Sequence, residues 1–278
     1  MNAADCTVFL AVDASRIQMR IAIVSDIHGN RRAFDAVLSD LREVAPDLVV
    51  HGGDLSSGGA HPAEIIDHIQ SLGWSGVCGN TDEMLWAPNR LTEFAATLPQ
   101  LASVFQRVQD TVPWTVAKLG EDRVRWLEKL PVRFVHEDLS LVHASPNDCW
   151  RAPPPNATEE EFRKVYTPLN TKTVVYAHIH VPFIRRFGSA GTPAGNFSSH
   201  ADAWTVANTG SVSQSYDGDT RASYLVIDGE HVTTRRVPYD VAAEASDLLK
   251  SGVPHADWMA KILLAGKYVQ PEEPRRKV

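Results

Sequence analysis

Seven side chains of cation-binding type fall at the ends of short apolar runs. They are Asp26 and His28 in IAIVSDIHGN, Asp54 in VVHGGDLSSGG, Asn80 in VCGNTDEM, His143 in LSLVHASP, and His178 and His180 in TVVYAHIH. Side chains of an extended strand alternate faces, so Asp26-x-His28 and His178-x-His180 are each expected to aim both members at one point. Any one of these histidines alone reads more readily as a hydrogen-bonded structural residue; the whole constellation reverses that reading. Carboxylate, imidazole and amide oxygen gathered at strand ends are the donor set of a two-metal hydrolytic site. A Gly-Gly-Asp turn lets backbone approach closely and frees the Asp54 carboxylate, which makes Asp54 the natural bridge between two ions about 3.5–4 Å apart. The mixed His/Asp/Asn shell suits Mn²⁺, Fe, Zn²⁺, Ni²⁺ or Co²⁺ better than Ca²⁺. Two carboxylates against two dications, less one charge for a bridging hydroxide, leave about +1, a field suited to a phosphate ester.

The elements that must position these residues follow an alternating pattern. A strand over 20–25 leads to a helix over about 31–44, with Phe34, Val37, Leu38 and Leu41 at helical spacing and Asn30 as N-cap. A strand over 47–51, a helix over 62–71 opening on Pro62, and a strand over 75–78 complete a βαβαβ unit. Such a unit predicts a parallel sheet that binds ligands at the carboxyl ends of its strands, where Asp26, Asp54 and Asn80 fall. Residues 90–130 read as helical throughout, stopped by Pro131. Strands are then expected over 133–137, 139–143, 173–176, 182–187, 203–208, 222–228 and 231–237, the last two joined by an Asp228-Gly229-Glu230 hairpin. Helices over about 239–250 and 255–265 finish the chain. The fold class is α/β: two face-to-face mixed sheets flanked by helices. The Pro-rich 145–160 and Gly/Ser-rich 188–202 stretches read as loops near the site. Residues 1–18 read as an extension, 19–266 as a single domain and 267–278 as a flexible tail.

Composition narrows the function classes. At 278 residues and 44% hydrophobic, the chain can bury a large core. No apolar stretch approaches the ~18–20 residues of a membrane span. The early TVFLAV run has Asp5 before it and no basic region, unlike a secretory signal. Cys6, Cys78 and Cys149 are odd in number and widely spaced, which fits reduced thiols in a cytoplasmic protein. A net charge of −7 argues against a general nucleic-acid-binding surface.

Taken in order, DIHGN, GGD, GNTD, VHASP and AHIH resemble the blocks of the calcineurin-like metallophosphoesterases. The likeness extends over about 19–237 and includes NTGSVSQSYDGDTRASYLVID, which looks like a block of the small bacterial and archaeal phosphodiesterase branch. The resemblance implies a four-layer α-β-β-α sandwich and hydrolysis by metal-activated hydroxide. It implies one ion on Asp26, His28 and His180, a second on Asn80, His143 and His178, and Asp54 between them. Asp54, Asn80 and His143 become the catalytic residues, with Asn30 and Thr81 facing substrate; Asn208 and Ser211 are expected either to orient ligands or contact phosphate, or to play a simple turn role. Three departures stand out. Thr81 occupies the place where many members carry an acid histidine, a contribution of about 10²–10⁴-fold. Ala177 replaces a glycine. Ser215-Tyr216 stands where related sequences carry Pro-Arg, leaving Arg186 or Arg221 to meet the phosphate. The expected activity is cleavage of phosphodiester or pyrophosphate bonds. Dinucleoside-polyphosphate hydrolysis, Ser/Thr phosphoprotein dephosphorylation and a catalytically dead scaffold are the alternatives. The implied partner is a phosphate-ester small molecule or nucleotide, and homo-oligomerisation stays open.

Other residues carry blander expectations. His51 reads as sheet-packed or supporting, and His61, His68, His136, His200, His231 and His255 as structural or exposed. Asp82 is balanced between orienting a ligand histidine and sitting in an exposed turn. Trp114 and Trp126 fit helical core spacing, whereas Trp150 is the candidate for stacking on a nucleobase.

Overall fold

A computed structural model describes residues 19–188 and 204–272. The expectations for 1–18, for most of the Gly/Ser-rich stretch and for 273–278 lie outside the described residues. One sheet has the order β10-β9-β1-β2-β3, from β10 (His231–Val237), β9 (Ala222–Asp228), β1 (Arg20–Val24), β2 (Leu48–His51) and β3 (Ser75–Gly76). Its β1–β2–β3 portion is parallel, as the βαβαβ pattern requires, and β9 joins β1 antiparallel. The second sheet runs β4 (Arg133–His136), β5 (Leu139–Val142), β6 (Thr173–Tyr176), β8 (Trp204–Asn208) and β7 (Phe183–Phe187).

Period-two patterning decides which face each strand buries. Ile21 and Ile23 of β1, Val50, Leu225 and Ile227 pack against Leu141, Val175 and Ala207 in the layer between the sheets. The alternate residues Ala22 and Val24 face helices α1 (Arg31–Val44), α2 (Pro62–Leu72) and α5 (Ala102–Glu128), meeting Phe34, Val37, Ile65, Ile69 and Leu119. Each such buried aliphatic side chain contributes about 1.5–3 kcal/mol. Asn30 does cap α1, its side chain accepting from the Ala33 N–H at 2.9 Å.

Two expectations need correction. The continuous helix over 90–130 is a series that follows the short α3 (Asn80–Glu83): α4 (Pro88–Ala96), a 3-10 turn at Pro99–Leu101, and α5, which contains Pro113 and is broken at Gly120 with φ 71° and ψ 167°. The stretch after the Pro-rich loop, which the sequence reading leaves without an element, holds a helix, α6 (Glu159–Tyr166), opened by a capping box between Thr158 and Glu161. Phe162 and Tyr166 of α6 cover Val174, Tyr176 and Val206, so this helix supplies the outer layer of the second sheet. The chain closes with α7 (Val241–Lys250) and α8 (Ala256–Ala265), packed on each other through Leu248, Met259 and Ile262. Part of the expected free tail is held down: Val269 O accepts from Trp258 Nε1 at 2.7 Å.

Candidate metal centre and substrate cavity

The loops leaving β1 and β2 stay paired beyond the strands. Asp26 N–H donates to Gly53 O, His28 N–H to Asp54 O and Gly29 N–H to Leu55 O, at 2.9–3.0 Å. This pairing bends the chain sharply. Asp26, His28, Asp54, His178 and His180 all sit in the left-handed region, with φ between 47° and 70°. The same-face geometry expected from strand alternation is therefore not what aims the two D-x-H and H-x-H pairs. They lie past the strand ends, in strained turns of a kind that costs of order 1–3 kcal/mol per residue. Gly53 and Gly79 let two of these turns touch: a Cβ on Gly79 would meet Asp54 Oδ1 at 2.1 Å, and one on Gly53 would meet Gly79 N at 2.5 Å.

Ligand atoms of Asp26, His28, Asp54 and His180 lie within 4.8 Å of one another, as do those of Asp54, His143 and His178. Asp54 belongs to both groups. Asn80 Oδ1 stands 3.0 Å from His143 Nε2 and 2.8 Å from His178 Nδ1.

These side chains fit cations. His28 Nδ1 faces Ser57 O at 2.7 Å, His180 Nδ1 faces Gln214 O at 2.6 Å, and His143 Nδ1 faces Gly52 O at 2.7 Å. A carbonyl only accepts, so each Nδ1 carries the proton and each Nε2 turns a bare lone pair inward. There the lone pairs meet other acceptors: His28 Nε2 and His180 Nε2 are 3.2 Å apart, and His180 Nε2 is 3.1 Å from Asp26 Oδ1. Both carboxylate oxygens of Asp26 are buried with no hydrogen-bond partner. A concentration of buried acceptors without donors is stable only around positive charge.

The electrostatics agree. Burial alone would push the Asp54 carboxyl up, yet the facing His143 outweighs it and holds Asp54 well below the usual carboxylate range. Burial pushes Asp26 up too, but His180 leaves it lowered. Burial lowers His28, and burial with the neighbouring His143 takes His178 down to about 4, so both imidazoles stay neutral. His143 goes the other way: burial lowers it, but the Asp54 carboxylate raises it to about 10. In that position an imidazole holds a proton or faces a cation.

A further residue organises the site without joining it. Asp82 is fully buried, and its carboxylate accepts from the N–H groups of Asp54 at 2.8 Å, Leu55 at 3.0 Å and Gly79 at 3.0 Å. It neither touches a histidine nor sits in an exposed turn, so both readings of it are corrected. The GNTD block contained the signal, since an acid three residues after Gly79 is spaced to cap that turn.

The expected substrate contacts divide. Thr81 lines the cavity beside the ligand cluster, and its Oγ1 has no hydrogen-bond partner. Asn30 is spent on its cap and on Ser213 Oγ and Tyr239 OH, both at 3.2 Å. Asn208 donates to Ala177 O at 2.7 Å, and Ser211 Oγ donates to Asp26 O at 2.9 Å. Both fasten the backbone of the turns that carry Asp26 and His178, as the orienting one of their two expected roles would have it, and neither lines the cavity. Arg186 lies on β7, which runs antiparallel to β8 and carries it away from the site to a cleft by Glu230, whose carbonyl it binds at 3.2 Å. The Arg221 guanidinium is held by Asp219 at 2.6–3.1 Å. Trp150 is buried, and its Nε1 donates to Glu83, so it is no stacking platform.

The cavity itself has a volume of about 200 Å³ and runs from the ligand cluster to an apolar wall of Val104 and Val108 from α5 and Trp258, Met259 and Ile262 from α8. Tyr216 stands at the junction, its ring stacked on His180 at 4.7 Å and 27°. No helix among the described residues is long and apolar enough to cross a membrane.

Comparison with known proteins gives the family and the fold. Residues 19–231 match the family model of the calcineurin-like phosphoesterase superfamily domain. An uncharacterized protein of Methanocaldococcus jannaschii is 26% identical over 261 residues, 90% of this chain and 100% of the relative. The crystal structure of a metallophosphoesterase from Sphaerobacter thermophilus is 27% identical, covers 89% of this chain and all of its own, and superposes with a TM-score of 0.68. A hypothetical protein from Pyrococcus horikoshii OT3 shares the fold at 18% identity, with a TM-score of 0.72 over 90% of this chain and 99% of its own. With the family model spanning most of its length, the chain belongs to the calcineurin-like phosphoesterase superfamily and is a metal-dependent phosphoesterase.

Proposed function

We propose that the protein is a dinuclear phosphohydrolase that cleaves phosphodiester or pyrophosphate bonds. Asp26, His28 and His180 hold one ion, Asn80, His143 and His178 the other, and Asp54 is shared. The observation that carries this reading is the membership of one carboxylate, Asp54, in both ligand groups. Ions of the Mn²⁺, Fe, Zn²⁺, Ni²⁺ or Co²⁺ kind would acidify water and draw charge from phosphoryl oxygens.

The chain's own residues prepare that chemistry. The carbonyls of Ser57, Gly52 and Gln214 fix three imidazoles in the tautomer that presents Nε2. The Thr81 N–H donates to Asp54 Oδ1 at 2.9 Å and holds the shared carboxylate in one rotamer. Thr81 has no proton to give near neutral pH, and burial pushes the phenol of Tyr216 further up. With no acid beyond the candidate ligands among the described residues that line the cavity, esters with good leaving groups are favoured over alkyl monoesters. We assign the activity to one domain over 19–266 acting on a small phosphate ester or nucleotide. Its free thiols, Cys78 and Cys149, suit the cytoplasm.

The test is Asp54→Asn. Bound metal in protein purified without chelator should fall from near two ions, and turnover of bis(4-nitrophenyl) phosphate should drop about 10³-fold. Undiminished metal-dependent hydrolysis would show the sharing to be wrong.

A further inference from the structure

The cavity beside the ligand cluster has an unusual lining for an enzyme of phosphate chemistry. Among the described residues, no lysine or arginine lines it. Arg221 and Arg236, which follow Tyr216 in the chain, are ion-paired elsewhere, Arg221 with Asp219 and Arg236 with Asp217. One side is the ligand set; the other is Val104, Val108, Trp258, Met259 and Ile262, closed by the stacked Tyr216. A second phosphate placed there would meet no cationic side chain among the described residues, only apolar carbon and neutral groups such as Thr81, Thr111 and Gln214, which costs several kcal/mol for a charge without a counter-charge.

We infer that this cavity binds the organic group of the substrate, and that this group is a single uncharged ring system carried on one phosphoryl centre. The inference rests on the dinuclear reading, because it is continuity with the ligand cluster that makes the cavity part of the substrate site. Size accommodates one ring: an enclosed cavity of about 150 Å³ holds benzene, and this pocket, open on one side, measures about 200 Å³. Its few polar groups fit the edge of such a ring. Thr81 Oγ1 is buried without a partner, and the Gln214 amide makes no side-chain hydrogen bond among the described residues. A dinucleoside polyphosphate, with its string of charges, is a poor fit.

Phenylphosphonate and methylphosphonate, compared as competitive inhibitors of bis(4-nitrophenyl) phosphate hydrolysis by the metal-loaded protein, separate the two ideas. Phenylphosphonate should bind about tenfold more tightly, a difference of about 1.4 kcal/mol. Met259→Gln, which keeps length but adds a polar amide to the wall, should shrink that ratio below about threefold. Equal inhibition by the two phosphonates with turnover intact overturns the cavity assignment and leaves the dinuclear site standing. A higher kcat/KM for a dinucleoside tetraphosphate than for the diester overturns it as well. If no diester is turned over and no metal is bound, the dinuclear reading fails instead. The fluorescence change that phenylphosphonate causes, and that Trp258→Phe removes, then still reports on the cavity; its absence overturns the assignment.

Discussion

On one side of the cavity, polar side chains converge from the ends of five strands, in turns that are mostly left-handed and tied together by backbone hydrogen bonds. On the other side, two helices present aliphatic and aromatic side chains with no special backbone geometry. The first surface is rigid by construction, since each ligand turn is held by its neighbour. The second is held mainly by packing, with α8 resting on α7 and a few side-chain hydrogen bonds at its margin, Trp258 to Val269 O and His255 to Asp110 among them. The contrast separates two tasks. Strain and hydrogen bonding set where charge can be placed, while shape and the absence of charge set what the phosphate is attached to.

The largest test of this contrast removes the tie beneath the polar side. Asp82→Ala leaves three buried N–H groups without an acceptor and should cost about 3–5 kcal/mol in urea unfolding, with metal affinity down about 10–100-fold. If stability and metal affinity both hold, the ligand turns are not held from below. Next, Thr81→His restores an imidazole beside the cluster. Hydrolysis of 4-nitrophenyl phosphate should rise about 10²-fold; an unchanged monoesterase rate would mean that geometry, not the missing acid, limits this activity. On the apolar side, Ile262→Val should raise KM for an aryl diester about twofold to threefold while kcat stays, at a stability cost of about 1 kcal/mol. A fall in kcat with KM unmoved would place α8 in the chemistry and erase the division of labour. The smallest effects belong to Arg186→Ala and Arg221→Ala. Both should leave kcat/KM within about twofold and stability within about 0.5 kcal/mol, because neither guanidinium reaches the cavity. A tenfold loss from either would return that arginine to the substrate.

The polar side was legible in the sequence because its residue types are rare at strand ends and recur in order. Asp26, Asp54 and Asn80 follow parallel strands whose apolar runs and intervening amphipathic helices are strongly patterned. The mechanism of their convergence was not legible: alternation along a strand pointed to the right residues, but the chain aims them through left-handed turns that no local pattern announces. The apolar wall was hidden for a different reason. Val104, Trp258 and Ile262 follow ordinary helical spacing, and nothing local distinguishes a helix face covering a core from one covering a cavity. Helix α6 was missed beside four prolines although its Thr158–Glu161 capping box and the Phe162/Tyr166 pair were in view. The reading of 90–130 as one helix ignored Pro99 and Gly120, two breakers that the chain does obey. Arg186 was misplaced because the direction of β7 is a matter of topology, which spacing does not encode.

The ligands come from both sheets: Asp26, His28, Asp54 and Asn80 follow strands of one, His143, His178 and His180 strands of the other. An ion seated among them would work as a clasp across the apolar seam formed by Ile21, Ile23, Leu141 and Val175. His28 and His180 are 152 residues apart, so this clasp closes only after most of the chain has found its place. Denatured chains lack the assembled cluster, and bound metal therefore draws the equilibrium toward the closed sandwich by mass action. On the proposed function, metal supply would thus bear on how long the fold persists as well as on how fast it turns over substrate.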